Sequence, residues 1–320
     1  MMKHKKILIS YILSLVIFGC GGGSSSIDIS DELSDFYVEL EGDLKYGGEI
    51  REEAIIKLDN ELKNNAARSS VELMSYYKHM LGQVATEMKE EVDSGIRIWS
   101  MYNHGFIIKT PDTIFAVDLV KGYYGWENSV NFPTEILEMI DVLLITHEHG
   151  DHNDPYIINQ IINNSGYVVG PSETNIGNTP LAVGEFFQTN GLKITAHDGV
   201  HSVPLRMYEI ETSNGIKIFH TGDNQMSSNL PTIENLDVLL LNAWINESGS
   251  SHATTGMRNA IEAMNPKLMI PGHIQELGHE YDPQSNATRV PYEWALDVDD
   301  IQLNADVSVL TWGENLFYSK

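Results

Sequence analysis

The sequence holds a single cysteine, Cys20, and it lies near the extreme N-terminus of 320 residues. No disulfide and no thiolate metal ligand is therefore available to the rest of the chain. Positive charge is scarce as well. Twenty Lys and Arg face 45 Asp and Glu, a formal net charge of −25. Such a chain repels nucleic acid and anionic membrane surfaces over its general face, although a bound metal cation can invert the field locally. The one extended apolar stretch near the start, Ile7 to Phe18, covers 12 residues, against roughly 20 needed to span a bilayer. No repeat recurs at a fixed period, which excludes solenoid and propeller arrays. What is present, 42% hydrophobic and 9% aromatic residues, suffices for one large core or two modest ones.

Lys3, Lys5 and Lys6 precede the apolar run, and together they read as the basic and hydrophobic parts of a secretory segment. Ile17-Phe18-Gly19-Cys20 then resembles a bacterial lipobox, whose cysteine is lipidated and becomes the mature N-terminus. The resemblance implies a lipoprotein signal over residues 1–20, export to the outer membrane or periplasmic face, and attachment through lipid on Cys20. Residues 21–48 read as a flexible acidic tether, with Gly42, Gly47 and Gly48 as breakers. Without residues 1–19 the chain carries 17 bases against 45 acids, about −28.

Residues 49–93 have a helical pattern. Val71, Met74, Leu81, Val84, Met88 and Val92 recur at helical spacings and mark one face, and Ser69 with Glu72 reads as a capping box. This extension is expected to pack, not to carry chemistry. After Gly95 the runs turn β-rich: Ile96–Tyr102, Phe106–Lys109, Thr113–Asp118, Val142–Thr146, Tyr167–Gly170 and Leu192–Ala196, then Arg206–Thr212, Ile216–Thr221, Val238–Leu241, Leu268–Pro271 and Val307–Trp312. Helical candidates fall near 133–140, 155–163, 254–265 and 291–299, with Thr254 or Thr255 capping the third. Alternating strands and helices predict a layered α/β domain over residues 94–320.

The chemistry concentrates in Thr146-His147-Glu148-His149-Gly150-Asp151-His152, directly after the apolar strand Val142–Ile145. A strand end presents alternate side chains on one face, so His147 and His149 can point at one metal. Gly150 is expected to allow a sharp turn, after which Asp151 and His152 can address a second metal. Imidazole and carboxylate donors suit zinc, iron or manganese.

Thr146-His147-x-His149-x-Asp151-His152 is similar to the HxHxDH signature of the metallo-β-lactamase superfamily, and later motifs follow in family order. Asp118 resembles the aspartate of the first motif, which orients a ligand histidine. His201, in Gly199-Val200-His201-Ser202, resembles the histidine of the third motif. Asp223, in His220-Thr221-Gly222-Asp223, resembles the bridging carboxylate, and His273, in Ile270-Pro271-Gly272-His273, the final histidine. The resemblance spans roughly residues 96–315 and implies an αββα four-layer sandwich with metals at one edge. It implies His147, His149 and His201 on one divalent ion, Asp151, His152 and His273 on a second, and Asp223 between them. Asp151 and Asp118 are the residues it singles out for catalysis. Zinc is the favoured metal, with manganese or iron as alternatives. His197, four residues before His201, is an alternative ligand for the third motif.

Two metals about 3.5–4 Å apart can share a hydroxide drawn from acidified water, which suits attack on a carbonyl or phosphorus centre. The implied activity is a hydrolase acting on a lactone, ester or phosphodiester in a small-molecule or lipid-like substrate, with no nucleic-acid partner. A class B β-lactamase uses a cysteine ligand, which this chain lacks beyond Cys20. The motif is not the HxExDH of flavodiiron oxygen reductases, nor is the third motif the Gly-His-Thr of glyoxalase II. The motifs around His201 and Asp223 look most like the branch holding ascorbate-6-phosphate lactonase and the N-acyl phosphatidylethanolamine phospholipase D type. A one-iron persulfide dioxygenase and a non-catalytic binding lipoprotein are the competing readings. His104, His252 and His279, with Tyr123, Tyr124 and Trp126, are weaker candidates for the pocket.

Overall fold

The computed structural model describes residues 49–63, 69–122, 130–189, 191–245, 253–274, 292, 295 and 304–320. Two mixed seven-stranded sheets carry these residues. The first has β1 (Ile96–Ser100), β2 (Phe106–Lys109), β3 (Ile114–Val117), β4 (Val142–Leu144), β5 (Tyr167–Pro171) and β6 (Thr179–Leu181) in sequence, with β14 (Asn315–Tyr318) added beside β1. The second runs β7 (Phe186–Thr189), β8 (Leu192–Asp198), β9 (Arg206–Thr212), β10 (Lys217–His220), β11 (Val238–Asn242), β12 (Leu268–Gly272) and β13 (Asp306–Val307). The sheets share a plan. β1 to β3 pair antiparallel and β3 to β6 parallel, while β7 to β10 pair antiparallel and β10 to β13 parallel.

Five helices accompany them among the described residues: α1 (Glu49–Lys63), α2 (Val71–Glu87), α3 (Thr134–Met139), α4 (Pro155–Asn163) and α5 (Ala253–Met264). Alternate residues of single strands enter different apolar clusters. On β2, Phe106 and Ile108 join a cluster made of strand residues from both sheets, whereas Ile107 joins a second cluster rich in helix residues. Val238 and Leu240 divide in the same way from Leu239 and Leu241. Strands covered on both faces must be apolar throughout, which is why β4, β11 and β12 read as unbroken hydrophobic runs. The layers are therefore helix, sheet, sheet and helix: the expected αββα sandwich.

Several local expectations change. The cap of α2 is Ser70, whose hydroxyl accepts from the Leu73 amide at 3.1 Å, and not Ser69. Its buried face is Leu73, Tyr76, Tyr77, Met80, Leu81 and Val84, while Val71 is 61% exposed. Leu73, Tyr76 and Tyr77 are the buried residues nearest the helix start, and Met74 packs partly buried against the same cluster. Thr254 and Thr255 fall inside α5, not before it. Val307–Trp312 is not one strand, because β13 stops at Val307 and the chain turns before β14. β6 and β7, at the sheet edges, were not foreseen; Pro180 and their short length hide them. Most of 291–299 lies outside the described residues.

Among the described residues, no helix is long and apolar enough to cross a membrane. Cys20 and the signal and tether segments lie outside them.

Candidate metal centre

Parallel strands end together, and their C-terminal ends build the centre, a placement common to parallel α/β sheets. Asp118 follows β3, the His147 to His152 run follows β4, Asp223 follows β10, Trp244 follows β11 and His273 follows β12. His201 comes from the β8–β9 connection. Asp118 (φ 48°) and His273 (φ 63°) hold left-handed backbone conformations, which non-glycine residues adopt at a cost and which concentrate at functional sites. Gly222 (φ 49°) cannot be replaced freely, since a Cβ there meets Thr146 Cβ at 2.9 Å. Gly150 has no such need. It has no left-handed φ and open space around it, so the expected glycine-dependent turn is not found.

The side chains converge in two groups. His147, His149 and His201 bring one donor atom each within 4.8 Å of the others, and so do Asp151, His152, Asp223 and His273. His197 stands apart. It pairs with Glu209 at 3.0 Å on the neighbouring strand, so it is His201 and not His197 that meets His147 and His149.

A buried hydrogen-bond chain fixes the ring tautomers. Asp118 Oδ1 accepts from the Thr146 amide at 2.8 Å, and Oδ2 accepts from Thr146 Oγ1 at 2.6 Å and from His152 Nδ1 at 2.7 Å. The Thr146 hydroxyl has one proton, given to Asp118, so at 3.0 Å it accepts from His147 Nδ1. His147 and His152 thus both turn Nε2 inward. Thr146 and Asp118 do what second-layer partners of ligand histidines do: they fix ring orientation and raise basicity.

The donor set fits metal ions on two observations. Nε2 of His147, Nε2 of His152 and Oδ1 of Asp223 are buried and lack a hydrogen-bond partner among the described residues. Each such orphan costs about 1–3 kcal/mol unless something else binds it. The spacings also suit shared ions. Ligand atoms about 2.0–2.2 Å from a tetrahedral zinc stand roughly 3.3–3.6 Å apart. Here His149 Nδ1 to His201 Nε2 is 3.2 Å, His152 Nε2 to Asp151 Oδ2 is 3.3 Å, and His152 Nε2 to Asp223 Oδ1 is 3.2 Å. Asp223 Oδ2 lies 3.3 Å from His273 Nε2 in one group and 3.7 Å from His147 Nε2 in the other. Among the described carboxylates it is the one within 4.0 Å of histidines of both groups.

Charge follows this geometry. Burial would raise the Asp223 carboxyl, but His152 and His273 hold it well below the usual carboxylate range. Burial would lower His152, yet Asp223, Asp151 and Asp118 hold it well above an ordinary histidine. Burial, with His152 beside it, pushes His147 down to about 2, leaving a neutral ring ready to donate a lone pair. Burial also lowers His201.

A Beta-lactamase superfamily domain signature matches residues 98–273, more than half of the chain. The chain belongs to this superfamily. Members similar to it include a UPF0173 metal-dependent hydrolase from Polynucleobacter asymbioticus, 27% identical over 62% of this chain and 79% of the relative. Among solved structures, the novel metallo hydrolase Igni18 from Ignicoccus hospitalis is 14% identical with a TM-score of 0.51, covering 71% of this chain and 100% of its own. CmlA, a diiron beta-hydroxylase from Streptomyces venezuelae, reaches a TM-score of 0.52 at 15% identity over 72% of this chain and 55% of its own. These two likenesses concern the fold.

Around the superfamily's signature residues, three neighbours were not singled out from the sequence. Trp244 stands between the groups, its ring 6.2 Å from His201 and 5.6 Å from His273. His220, within a quoted motif, accepts from the Gly222 amide through Nδ1 and donates from Nε2 to the His104 carbonyl, both at 3.0 Å. Asn103 Nδ2 donates to Asp151 Oδ2 at 2.8 Å. The Asn103-His104-Gly105 turn had been noted for its histidine alone. His104 is fully buried behind the centre, 4.1 Å from the His220 ring, instead of lining a pocket. His252, His279, Tyr123, Tyr124 and Trp126 lie outside the described residues.

Proposed function

We infer that this metal-dependent hydrolase works with two divalent ions, zinc favoured over manganese or iron, on a lactone, ester or phosphodiester. The observation carrying this reading is the convergence of two donor groups on one strand-end edge, with Asp223 facing both. Bound there, the metals supply water acidified towards neutral pH and a Lewis acid for the substrate oxygen.

The chain's own residues supply position and charge. Asp118 and Thr146 lock His152 and His147 with their Nε2 atoms inward. Asp223 stays ionised between the groups, and Asp151, with a side chain 26% exposed, is the more open of the two carboxylates. Trp244 offers an apolar wall over both halves, suited to a small-molecule or lipid-like substrate. The Val200-His201-Ser202 and His220-Thr221-Gly222-Asp223 motifs support the lactonase-like and phospholipase D-like branch. The relatives' description as metal-dependent hydrolases supports hydrolysis in general.

We also propose attachment to the bacterial envelope through lipid on Cys20, with residues 21–48 as tether, 49–93 as helical extension and 94–320 as hydrolase domain. Lys3, Lys5, Lys6 and the run ending at Cys20 support this. Labelled palmitate should enter the wild-type chain in a bacterial host and not Cys20→Ser; equal labelling rejects the anchor.

For the chemistry, a chain lacking residues 1–20 is analysed for metal and offered lactones, aryl esters and aryl phosphodiesters with Zn, Mn or Fe. Turnover of one class, cut roughly 10²-fold in His149→Ala, is expected. Two bound metals with no turnover of any class, or oxygen uptake with a persulfide, overturns the assignment.

A further inference from the structure

We propose that Asn103 is a positioning residue for one half of the centre only: it aims Asp151, and with it the second metal site. The inference rests on the two-metal reading above. The β1–β2 turn that carries Asn103 reaches into the centre from outside every motif. Its side-chain Nδ2 donates to Asp151 Oδ2 at 2.8 Å, and its backbone carbonyl accepts from the His273 amide at 3.0 Å. One residue therefore holds two of the four donors Asp151, His152, Asp223 and His273. No hydrogen bond joins it to His147, His149 or His201 among the described residues.

The amide can face Asp151 in one sense only, because an ionised carboxylate accepts and does not donate. Asn103 Oδ1 is buried and has no hydrogen-bond partner among the described residues. The side chain is thus not held there to satisfy its own oxygen; among the described residues its one hydrogen bond is the donation to Asp151. That donation matters because Asp151 is only part-buried and lies within the turn after His149, where no strand restrains it. Its Oδ2 is also the oxygen it presents to His152 Nε2, at 3.3 Å, and to His273 Nε2, at 3.7 Å. Fixing that oxygen fixes the angle at which Asp151 joins the other donors.

The turn is itself braced. Asn103 holds φ 58°, and the neighbouring His104 ring fills the space beside Gly272, where a Cβ would come within 1.9 Å of His104 Nδ1. Tyr102 stacks on Trp312 with ring centres 5.9 Å apart and meets Tyr77 of α2 edge-on at 6.2 Å. The helical extension thereby backs the turn that aims Asp151.

Asn103→Gly is the decisive variant, since glycine adopts the left-handed φ and keeps the carbonyl that binds His273 while removing only the donor. Asn103→Asp keeps shape and φ but faces Asp151 with an acceptor. Each chain, stripped of metal, is titrated with cobalt(II) by absorption and calorimetry, and its melting temperature is recorded. Expected is about 10–100-fold weaker binding of the equivalent held by the Asp151 half, with the equivalent held by His147, His149 and His201 unchanged, Asp at least as impaired as Gly, and melting as in the parent. Two equivalents bound with parental affinity in either folded variant, or equal weakening of both, overturns the proposal. A parent chain that binds one equivalent contradicts the two-metal reading itself, independently of Asn103.

Discussion

His147, His149 and His201 offer three imidazoles, two of them only half-buried, whereas Asp151, His152, Asp223 and His273 add two carboxylates and are buried apart from Asp151. Bracing differs in the same direction. In the first group Thr146 holds His147, and Gln225 Nε2 approaches His201 Nδ1 at 3.3 Å. In the second, Asp118 grips His152, Asn103 grips Asp151, and the His273 amide is tied to the same turn. The more charged and better-braced half should bind a divalent cation more tightly, because less ordering is left to binding. The histidine half should exchange its metal more readily. Asp223 couples the two.

Removing that coupling should have the largest effect. Asp223→Ala is expected to lose both tightly bound metals and on the order of 10³-fold or more in kcat/KM; plasma emission metal analysis of the purified variant checks the first. A variant that keeps two equivalents breaks the idea of a shared carboxylate. His149→Ala should be more selective, emptying the histidine half while one equivalent stays, with kcat down roughly 10²-fold. If the retained metal is instead the weaker one in competition with a chelator, the ranking of the halves is reversed.

Asp118→Asn tests the bracing. Asparagine tolerates the left-handed backbone, but its amide group would set a donor against His152 Nδ1 or lose the Thr146 contacts. Affinity of the half that contains His152 should fall about 10–100-fold, with the histidine half nearly unchanged. Chelator competition measures both constants in one titration. Trp244→Ala should have the smallest effect, touching both halves and ligating neither. Metal content should stay at the parental value and KM rise roughly 2–10-fold, the scale of one aromatic contact; a changed metal content would make Trp244 part of the metal support instead.

Much of this contrast was legible before any coordinates. The ligands sit in short contiguous motifs after apolar strands, and doubly covered strands leave unbroken runs such as Val142–Ile145 and Val238–Leu241. The choice between His197 and His201 needed strand pairing, because β8–β9 register sets His197 opposite Met207 and within reach of Glu209, two residues along the partner strand. Edge strands β6 and β7 carry no clean alternation, and β14 is separated by most of the chain from β1, its partner. Asn103 was hidden for a different reason. An asparagine two residues before a glycine reads as turn chemistry, and nothing local connects it to Asp151, 48 residues later. Val71 misled because an apolar residue in a first helical turn can remain exposed, while Tyr76 and Tyr77 supplied the buried stripe.

Anomalous diffraction from crystals of the metal-loaded chain tests the central claim most directly. Two peaks are predicted about 3.5–4 Å apart, one among His147, His149 and His201, the other among Asp151, His152 and His273, with Asp223 between them. Partial chelation should weaken the first peak before the second. A single peak, or two peaks away from Asp223, would contradict a two-metal centre built from these seven residues.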